Sequence, residues 1–467
     1  MIGKRLASVG TIFLILWVMG WQGVIDAAPS SPFGKASPHD QTTPSATLSE
    51  IFRLIDTYYV EPVSISKLLT GGWKRLILTL PPHCIEGISP IWLEETNSVW
   101  QSVERSHAVA TACNMERSRI VSMLINFALR DLDPNTSLLD PIMVKELRIS
   151  LAGEFGGVGM TVSSKDGRHT VLSVTEGSPA HRAGIRLGDE ILEIDGLPLA
   201  DMSLREVLER VRGPLGSVIW LTVREATTDT VRHLRLRRTS LIVPPVRSAV
   251  LSGDIGYLRL LNFQKNTTQA VQKTLRKLKK QTKGTMKGLI LDLRDNPGGL
   301  FHQAVQVADM FVDSGIITSI RGRGGQLHQE FKASHRVMKL RVPLVTLINH
   351  RTASAAEVLV GALKGRPDVV VMGERSFGKG SVQAVYPLPT GEALRLTTAH
   401  YYTASGCDIE GKGLEPDIQI SAANSPSLPE EGELYPASIL SDPVVLEACE
   451  LLQVKALGGR ESRVTLH

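Results

Sequence analysis

Residues 288–299 read GLILDLRDNPGG, and residues 344–357 read LVTLINHRTASAAE. In each, a mostly apolar run gives way to a short polar loop that opens a helical pattern. An apolar run without alternation is the signature of a strand covered on both faces, as in a parallel sheet. Working outward, the strand-like runs Ile255–Leu260, Gly288–Leu293, Leu344–Asn349 and Val369–Met372 alternate with helical patterns at Thr268–Lys280, His302–Phe311 and Ala353–Leu363. This rhythm predicts an α/β core with mainly parallel strands over 241–420. In such sheets, ligands meet the carboxyl ends of the strands, where loops enter helix N-termini.

Upstream, 150–240 has a different texture. Short β-rich runs appear at Met160–Ser163, Val171–Val174, Glu190–Ile194 and Val218–Val223, with one helix at Ser203–Val211. Turn signals stand at Gly184, Asp195-Gly196 and Gly213-Pro214. That spacing predicts a small, partly open β-barrel or sandwich. Residues 47–149 form a helical region. Ile51, Leu54, Ile55 and Tyr58 recur at helical spacing within Leu48–Tyr58, Pro62 ends that helix, and Ile120–Leu132 is a second. The excursion 81–119 within it holds Pro81, Pro82, Pro90 and two tryptophans. Beyond the core, 421–437 is polar and Pro-rich, and Asp442–Gln453 closes the chain as a helix within a tail at 421–467.

The first 28 residues read as an export segment. Lys4 and Arg5 precede the apolar stretch Leu6–Trp21, and Ile25-Asp26-Ala27 offers a cleavage site. Extended over 6–25, the stretch is also long enough to stay as a membrane anchor. Either reading places the rest of the chain outside the cytoplasm, in a bacterial periplasm or a thylakoid lumen. Residues 29–46, rich in Pro and Ser, are expected to form a flexible tether.

The bulk numbers exclude some functions. The chain has 467 residues, 42% hydrophobic and 21% charged, with a net charge of +5. Those values fit a multidomain globular protein, and the dispersed charge argues against nucleic acid as a partner. The densest basic run, Gln272–Lys283, reads as the solvated face of an amphipathic helix. Cys84, Cys113, Cys407 and Cys449 show no metal-type spacing, and no metal or cofactor is expected. A Cys84–Cys113 bridge and free or mixed thiols are both open.

Three loops carry chemistry. In Asp292–Gly299 the paired Gly298 and Gly299 let the backbone approach a ligand and expose N–H groups, although a tight strand-to-helix turn needs them too. In Asn349–Glu357, Ser354 falls near a helix N-terminus, where free amides and the positive dipole end stabilise an oxyanion. The local alternative is that Ser354 or Thr352 caps the helix, with Glu357 completing a capping box. In Gly373–Gln383, Lys379 lies between Gly378 and Gly380. A lysine there can be buried against another loop, and a neutral amine is a competent general base. Gln383 lies four residues on, placed to orient it. The stretch does not match a phosphate-binding P-loop. His302, His335, His350 and His400 have no evident nucleophile partner, and His350 is the nearest alternative base.

Together these motifs resemble the carboxyl-terminal processing, or tail-specific, serine protease family. The resemblance runs from about Leu48 to the end. It includes YYVEPV at 58–63, LDPNTSLLDP at 132–141, GEFGGVGM at 153–160, SPAHRAGIRLGDEILEIDG at 178–196, VRGPLGS at 211–217 and IGYLRLLNF at 255–263. LDLRDNPGGL at 291–300, TASAAEVLVGAL at 352–363, ERSFGKGSVQ at 374–383, LRLTTAHYYTASG at 394–406 and IEGKGLEPDI at 409–418 continue it. The resemblance implies Ser354 as nucleophile, Lys379 as base and Gln383 as the third member. It implies an oxyanion hole from Ala355 with Gly298 or Gly299, and a supporting Glu357. The residues before the serine, His350-Arg351-Thr352, and Ala356 after it depart from the family's small residues, and so does the 81–119 excursion.

The 150–240 segment resembles a PDZ domain. Such domains add an extended C-terminus as a strand and hold its carboxylate on backbone amides, which points to Gly156-Gly157-Val158-Gly159. The expected function is a serine endopeptidase that cuts exported proteins near their C-termini, gated by a PDZ domain reading free, apolar tails. An adaptor lipoprotein and a homo-oligomer are further partners the resemblance allows. The alternatives are a non-catalytic PDZ scaffold and an acyl-thioester hydrolase on a similar core.

Overall fold

A computed structural model describes residues 44–85, 98–165, 167–334, 340–420 and 439–457. The export segment, most of the tether, 86–97 of the excursion and the polar stretch 421–437 lie outside the described residues, as does His335. The described chain is a mixed α/β protein that divides into two compact units. One holds the described part of Met1–Pro141 with Ser314–Ser334 and Gly380–Glu410; the other holds the rest.

The larger unit is built on a central sheet. Its strands Val246–Leu251, Ile255–Leu260, Gly288–Asp292, Leu344–Ile348, Val369–Gly373 and Ile418–Gln419 lie side by side in chain order. The first pair is antiparallel and every later pair is parallel. All residues of Gly288–Asp292 and Leu344–Ile348 are buried, as their mostly apolar sequence predicts, and Asp292 and Thr346 are buried with them. On one face, the helix Pro443–Leu457 packs Val444, Val445, Ala448, Cys449 and Leu452 against Tyr257, Ile290, Val345, Leu347 and Met372. Each large aliphatic buried there contributes roughly 1.5–3 kcal/mol. The approach is close: a Cβ on Gly288 would stand 2.9 Å from Leu452 Cδ2. Elsewhere in this unit the helix Phe301–Ala308 packs against both Thr267–Gln281 and Ala355–Leu363. Thr267–Gln281 buries Val271, Leu275 and Leu278, and turns Lys273, Arg276, Lys277, Lys279 and Lys280 outward.

The same unit carries the β-rich segment. Strands Met160–Lys165, Arg168–Val174, Glu190–Ile194, Val218–Arg224 and Val231–Arg237 form an antiparallel sheet in that order, so Met160–Lys165 is an edge. The helix Leu204–Val211 starts at the capping box of Ser203 and Glu206 and buries Val207 and Val211 beneath Val162, Ile191, Ile194 and Ile219. Glu154–Gly157 pairs with Thr239–Ile242 at the base of the segment.

In the smaller unit, the helices Pro44–Tyr58, Ile65–Thr79, Val99–Ala112 and Arg117–Leu129 surround Leu48, Ile51, Phe52, Trp73, Leu124 and Ile125. The first of them begins within the stretch expected to be tether. The long strand Ala393–Thr403 closes this core with Leu394 and Leu396, and pairs antiparallel with Ser137–Leu139, Ile316–Arg321 and Ser381–Pro387. Leu327–Lys332 extends the sheet from Ile316–Arg321. The stretch read from sequence as one α/β core, 241–420, thus contributes to both units. Its two inserted pieces are antiparallel strands, and their partners come from each other and from the N-terminal region. Within this unit Cys84 and Cys113 form a disulfide, while Cys407 and Cys449, the latter in the other unit, are free. No helix among the described residues is long and apolar enough to cross a membrane.

Candidate functional site

The site is set by three loops at the carboxyl ends of central strands, two wholly in the larger unit and the third there as far as Lys379. The strand Leu344–Ile348 ends at Asn349, and the helix Ala355–Leu363 begins six residues later. Ser354 sits at the turn with φ 57° and ψ −121°, a backbone conformation an L-residue adopts only under strain, at a cost of about 1–3 kcal/mol. Its conformation is fixed from the following helix. Glu357, fully buried, accepts the Ser354 N–H at 2.8 Å, and its own N–H donates to the Ser354 carbonyl.

That carboxylate does more than box the helix start. Its Oε1 accepts from the Ser376 hydroxyl at 2.6 Å and the Gly378 N–H at 2.7 Å, and its Oε2 also accepts the Lys379 N–H at 2.8 Å. Glu357 therefore ties the backbone of Ser354 to that of Lys379. Burial pushes its pKa up, against the pull of those four donors. Ser376 in turn accepts the Leu414 N–H, and the Gly378 carbonyl accepts the Gly411 N–H. Between them Phe377 is exposed, with its N–H donated to the Thr352 carbonyl.

The Asp292–Gly299 loop lies directly against the serine turn. A Cβ on Gly298 would stand 2.8 Å from Ser354 Cβ, Ala355 N and the Ala353 carbonyl, and a Cβ on Gly299 would stand 2.2 Å from the Phe263 carbonyl. With φ of 96° and 134°, both positions need glycine. Asn296 locks the loop: its carbonyl accepts the Ala353 N–H, its Nδ2 donates to the Leu260 carbonyl, and its Oδ1 accepts the Gly298 N–H. The Gly298 amide is thus engaged. Among the described residues no acceptor is paired with the N–H of Gly299 or of Ala355. Asn349 adds a second lock, exchanging hydrogen bonds with the Asp295 N–H and carboxylate.

Of the sequence candidates, the larger unit brings together Ser354, Ala355, Glu357, Lys379, Gly298 and Gly299. Gln383 belongs to the smaller unit, on Ser381–Pro387, where its Nε2 donates to Ser381 Oγ at 2.7 Å. His350 is at the surface, paired with Glu374 at 3.1 Å. His302 is half-buried in the helix Phe301–Ala308, and burial holds its pKa below the usual histidine range. In the β-rich segment, Gly156 is packed so that a Cβ would meet the Gly213 carbonyl at 2.1 Å. Gly157 ends the strand Glu154–Gly157, the buried Val158 gives its carbonyl to the Ala180 N–H, and Gly159, at φ 81°, accepts from Thr175. Sequence reading missed Asn296 and Ser376. Both lie inside the quoted loops, but only the fold shows which groups they hold.

Comparison with known proteins decides what this arrangement belongs to. The model of peptidase family S41 matches residues 254–420, and that of the PDZ domain matches 170–225. The carboxy-terminal-processing protease of Bartonella bacilliformis is 38% identical over 322 residues, covering 69% of this chain and 73% of the relative. This chain belongs to peptidase family S41, among the carboxy-terminal processing proteases. This S41 peptidase is also 36% identical over 291 residues to the carboxyl-terminal-processing protease of a Picosynechococcus, covering 61% of this chain and 69% of that one. It is 36% identical over 305 residues to the chloroplastic C-terminal processing peptidase of Tetradesmus obliquus, covering 62% and 65%. It is accordingly a serine peptidase with a PDZ domain, and its substrates are proteins.

Proposed function

We propose that this S41 peptidase cuts exported proteins near their C-termini with Ser354 as nucleophile and Lys379 as base. Ser354 Oγ attacks the scissile carbonyl, and the neutral Lys379 amine takes its proton. The amides of Gly299 and Ala355 hold the oxyanion. Collapse expels the leaving amine, which takes the proton from Lys379; neutral again, Lys379 takes a proton from the water that attacks the acyl ester and returns it to Ser354 Oγ as the acid product leaves. Glu357 fixes the two catalytic backbones, and Gln383 takes the supporting role that the family resemblance implies. The observation that carries this reading is the serine turn: a strained Ser354 beside two amides without acceptors, bonded through one buried carboxylate to the loop of Lys379. The Gly298 amide, held by Asn296, stands outside the hole in this reading.

The PDZ segment is proposed to select and admit substrate tails. Its edge strand Met160–Lys165, adjoining the helix Leu204–Val211, suits addition of a peptide strand, and the Gly156–Gly159 stretch that leads into it is where the tail carboxylate would be held. The deciding experiment incubates a denatured protein with a free apolar C-terminus with wild type and with Ser354→Ala. Ser354→Ala is expected to abolish cleavage while keeping the folded CD spectrum. Cleavage at the wild-type rate by a pure Ser354→Ala preparation would sink the assignment.

A further inference from the structure

The family match ends at residue 420, yet a residue beyond it reaches the catalytic layer. Asp442 stands immediately before the helix Pro443–Leu457 and accepts the Val444 N–H at 3.0 Å, so it caps that helix. Its other oxygen lies 2.7 Å from Arg294 Nη1. Arg294 in turn spends Nε and Nη2 on the two oxygens of Asp292, at 3.0 and 2.7 Å, and Tyr257 donates its hydroxyl to Asp292 at 2.7 Å. The exposures of the Arg294, Asp292 and Asp442 side chains are 6%, 0% and 1%. Burial works against the Asp292 charge, but the Arg294 guanidinium outweighs it and holds that carboxyl below its usual range. Burial likewise works against the Arg294 charge, and the carboxylates of Asp292 and Asp442 reverse it.

Arg294 also lies near the start of the Asp292–Gly299 loop. That loop contains three residues with positive φ: Asp295 at 62°, Gly298 at 96° and Gly299 at 134°. Such a conformation persists only when its surroundings over-determine it. Asn349 holds Asp295, and Asn296 holds Gly298. The entry to the loop is held by the Arg294 fork, one arm of which meets Asp442 at the start of the C-terminal helix. Removing the Asp442 carboxylate leaves the guanidinium charge balanced by Asp292 but takes the charged acceptor from Nη1, so the fork loses an anchor against the C-terminal helix.

We propose that Asp442 is a positioning residue for peptide hydrolysis, fixing Arg294 so that the Asp295–Gly299 loop presents the Gly299 amide beside Ser354. The inference rests on the reading of Gly299 as an oxyanion donor. It makes the helix Pro443–Leu457 part of the catalytic apparatus, beyond its role as cover for the central sheet.

The test compares three variants of the full chain at a temperature where all are folded. Asp442→Asn keeps the helix cap and the shape but removes the charge. Asp442→Ser keeps a cap with less bulk. Leu452→Ala weakens the same helix without touching Arg294. The readouts are kcat and KM on a peptide and affinity for a peptide aldehyde, whose adduct with the nucleophile places an oxyanion in the hole. Asp442→Asn is expected to lower kcat roughly 10- to 100-fold with KM within twofold, and to weaken the aldehyde by a similar factor. Asp442→Ser should follow it, and Leu452→Ala should leave both near wild type. The proposal is overturned if Asp442→Asn stays within twofold in kcat and aldehyde affinity, or if Leu452→Ala loses as much. It is equally overturned if both Asp442 variants fail to fold while Leu452→Ala folds, because the ion pair is then a folding determinant only. An active Ser354→Ala would instead remove the reading of the site on which this rests.

Discussion

Replacing Glu357 with Gln is the sharpest single probe of the site. The carboxylate receives four donors: the Ser376 hydroxyl and the Gly378 N–H on one oxygen, the N–H groups of Ser354 and Lys379 on the other. Gln offers one accepting oxygen, and its NH2 group must face two of those donors. Two buried donors then lose their acceptor, at about 1–3 kcal/mol each. Loss of the buried charge offsets part of that. A net destabilisation of roughly 2–4 kcal/mol follows from these two terms. The sign of the pH effect is fixed as well. Burial raises the Glu357 pKa above its ordinary 4.5, so the proton-linked part of its stability, separate from the four bonds, is present below that value and lost as pH rises through the folded-state value. The stability gap between wild type and Glu357→Gln is therefore widest in acid and narrows toward neutral pH. Because the lost bonds are those that place Ser354 and Lys379, kcat should fall about 100-fold, the scale of an ångström's misplacement. Urea midpoints between pH 4 and 8 and peptide kinetics measure both. A variant within 1 kcal/mol of wild type and within threefold in kcat would refute the clamp.

Three other outcomes are expected. Lys379→Arg should be inactive at every pH because a guanidinium stays charged, whereas wild-type kcat/KM should climb with pH as the amine loses its proton; full activity in Lys379→Arg would move the base elsewhere. One unfolded substrate offered with a free apolar C-terminus, with the same terminus amidated, or ending in Asp-Asp should be cut fastest in the first form. Equal rates for all three would show that the PDZ segment does not select tails. Replacing both Cys84 and Cys113 with Ser opens a link of 29 residues' separation and should cost roughly 3–4 kcal/mol by loop entropy; an unchanged melting temperature would show that the bridge carries no such weight.

The central sheet was legible because its strands are covered on both faces, so Gly288–Asp292 and Leu344–Ile348 have no polar alternation to blur them. The helix Ile65–Thr79 escaped for an instructive reason. Gly71-Gly72 in its middle looks like a breaker, but a Cβ on Gly72 would stand 3.0 Å from Ala128 Cβ and 3.1 Å from Leu124 Cδ1. The glycine is there for a close helix crossing, and propensity yields to packing. The long strand Ala393–Thr403 was legible as a motif but not as a partner of Ser137–Leu139, because sequence fixes a strand's faces and not its neighbours. At the site, the capping box of Ser354 and Glu357 was readable from three-residue spacing alone. That the same carboxylate bonds Gly378 and Lys379 was not, and neither was the engagement of Gly298 by Asn296, since both depend on loops meeting in space.

The interlocking of these loops limits where control can act. The strain at Ser354 amounts to about 1–3 kcal/mol. Against it stand the hydrogen bonds that Asn296 accepts from Ala353 and Gly298 and donates to Leu260, those exchanged between Asn349 and Asp295, the one Phe377 donates to Thr352, and the four into Glu357. At about 1 kcal/mol apiece, and more for those to a carboxylate, they exceed the strain severalfold. The turn of Ser354 and the amides of Gly299 and Ala355 are therefore set within one unit before any tail arrives. A ligand shifts a rate only through an element that has two arrangements of similar free energy, and a loop held this far down one well is not such an element. If a bound tail gates cleavage, the part it biases has to lie outside the Asp292–Gly299 and Asn349–Glu357 loops. One segment outside those loops follows Lys379, whose backbone N–H is bonded to Glu357 while the chain passes at Gly380 into the other unit. A gated enzyme of this design would keep full affinity for an oxyanion mimic in its resting state and differ between states in how the base is used, so pre-binding a tail peptide should change the pH dependence of kcat while leaving aldehyde affinity at Ser354 unchanged; a tail that tightened the aldehyde tenfold would place the gate in the oxyanion loops after all.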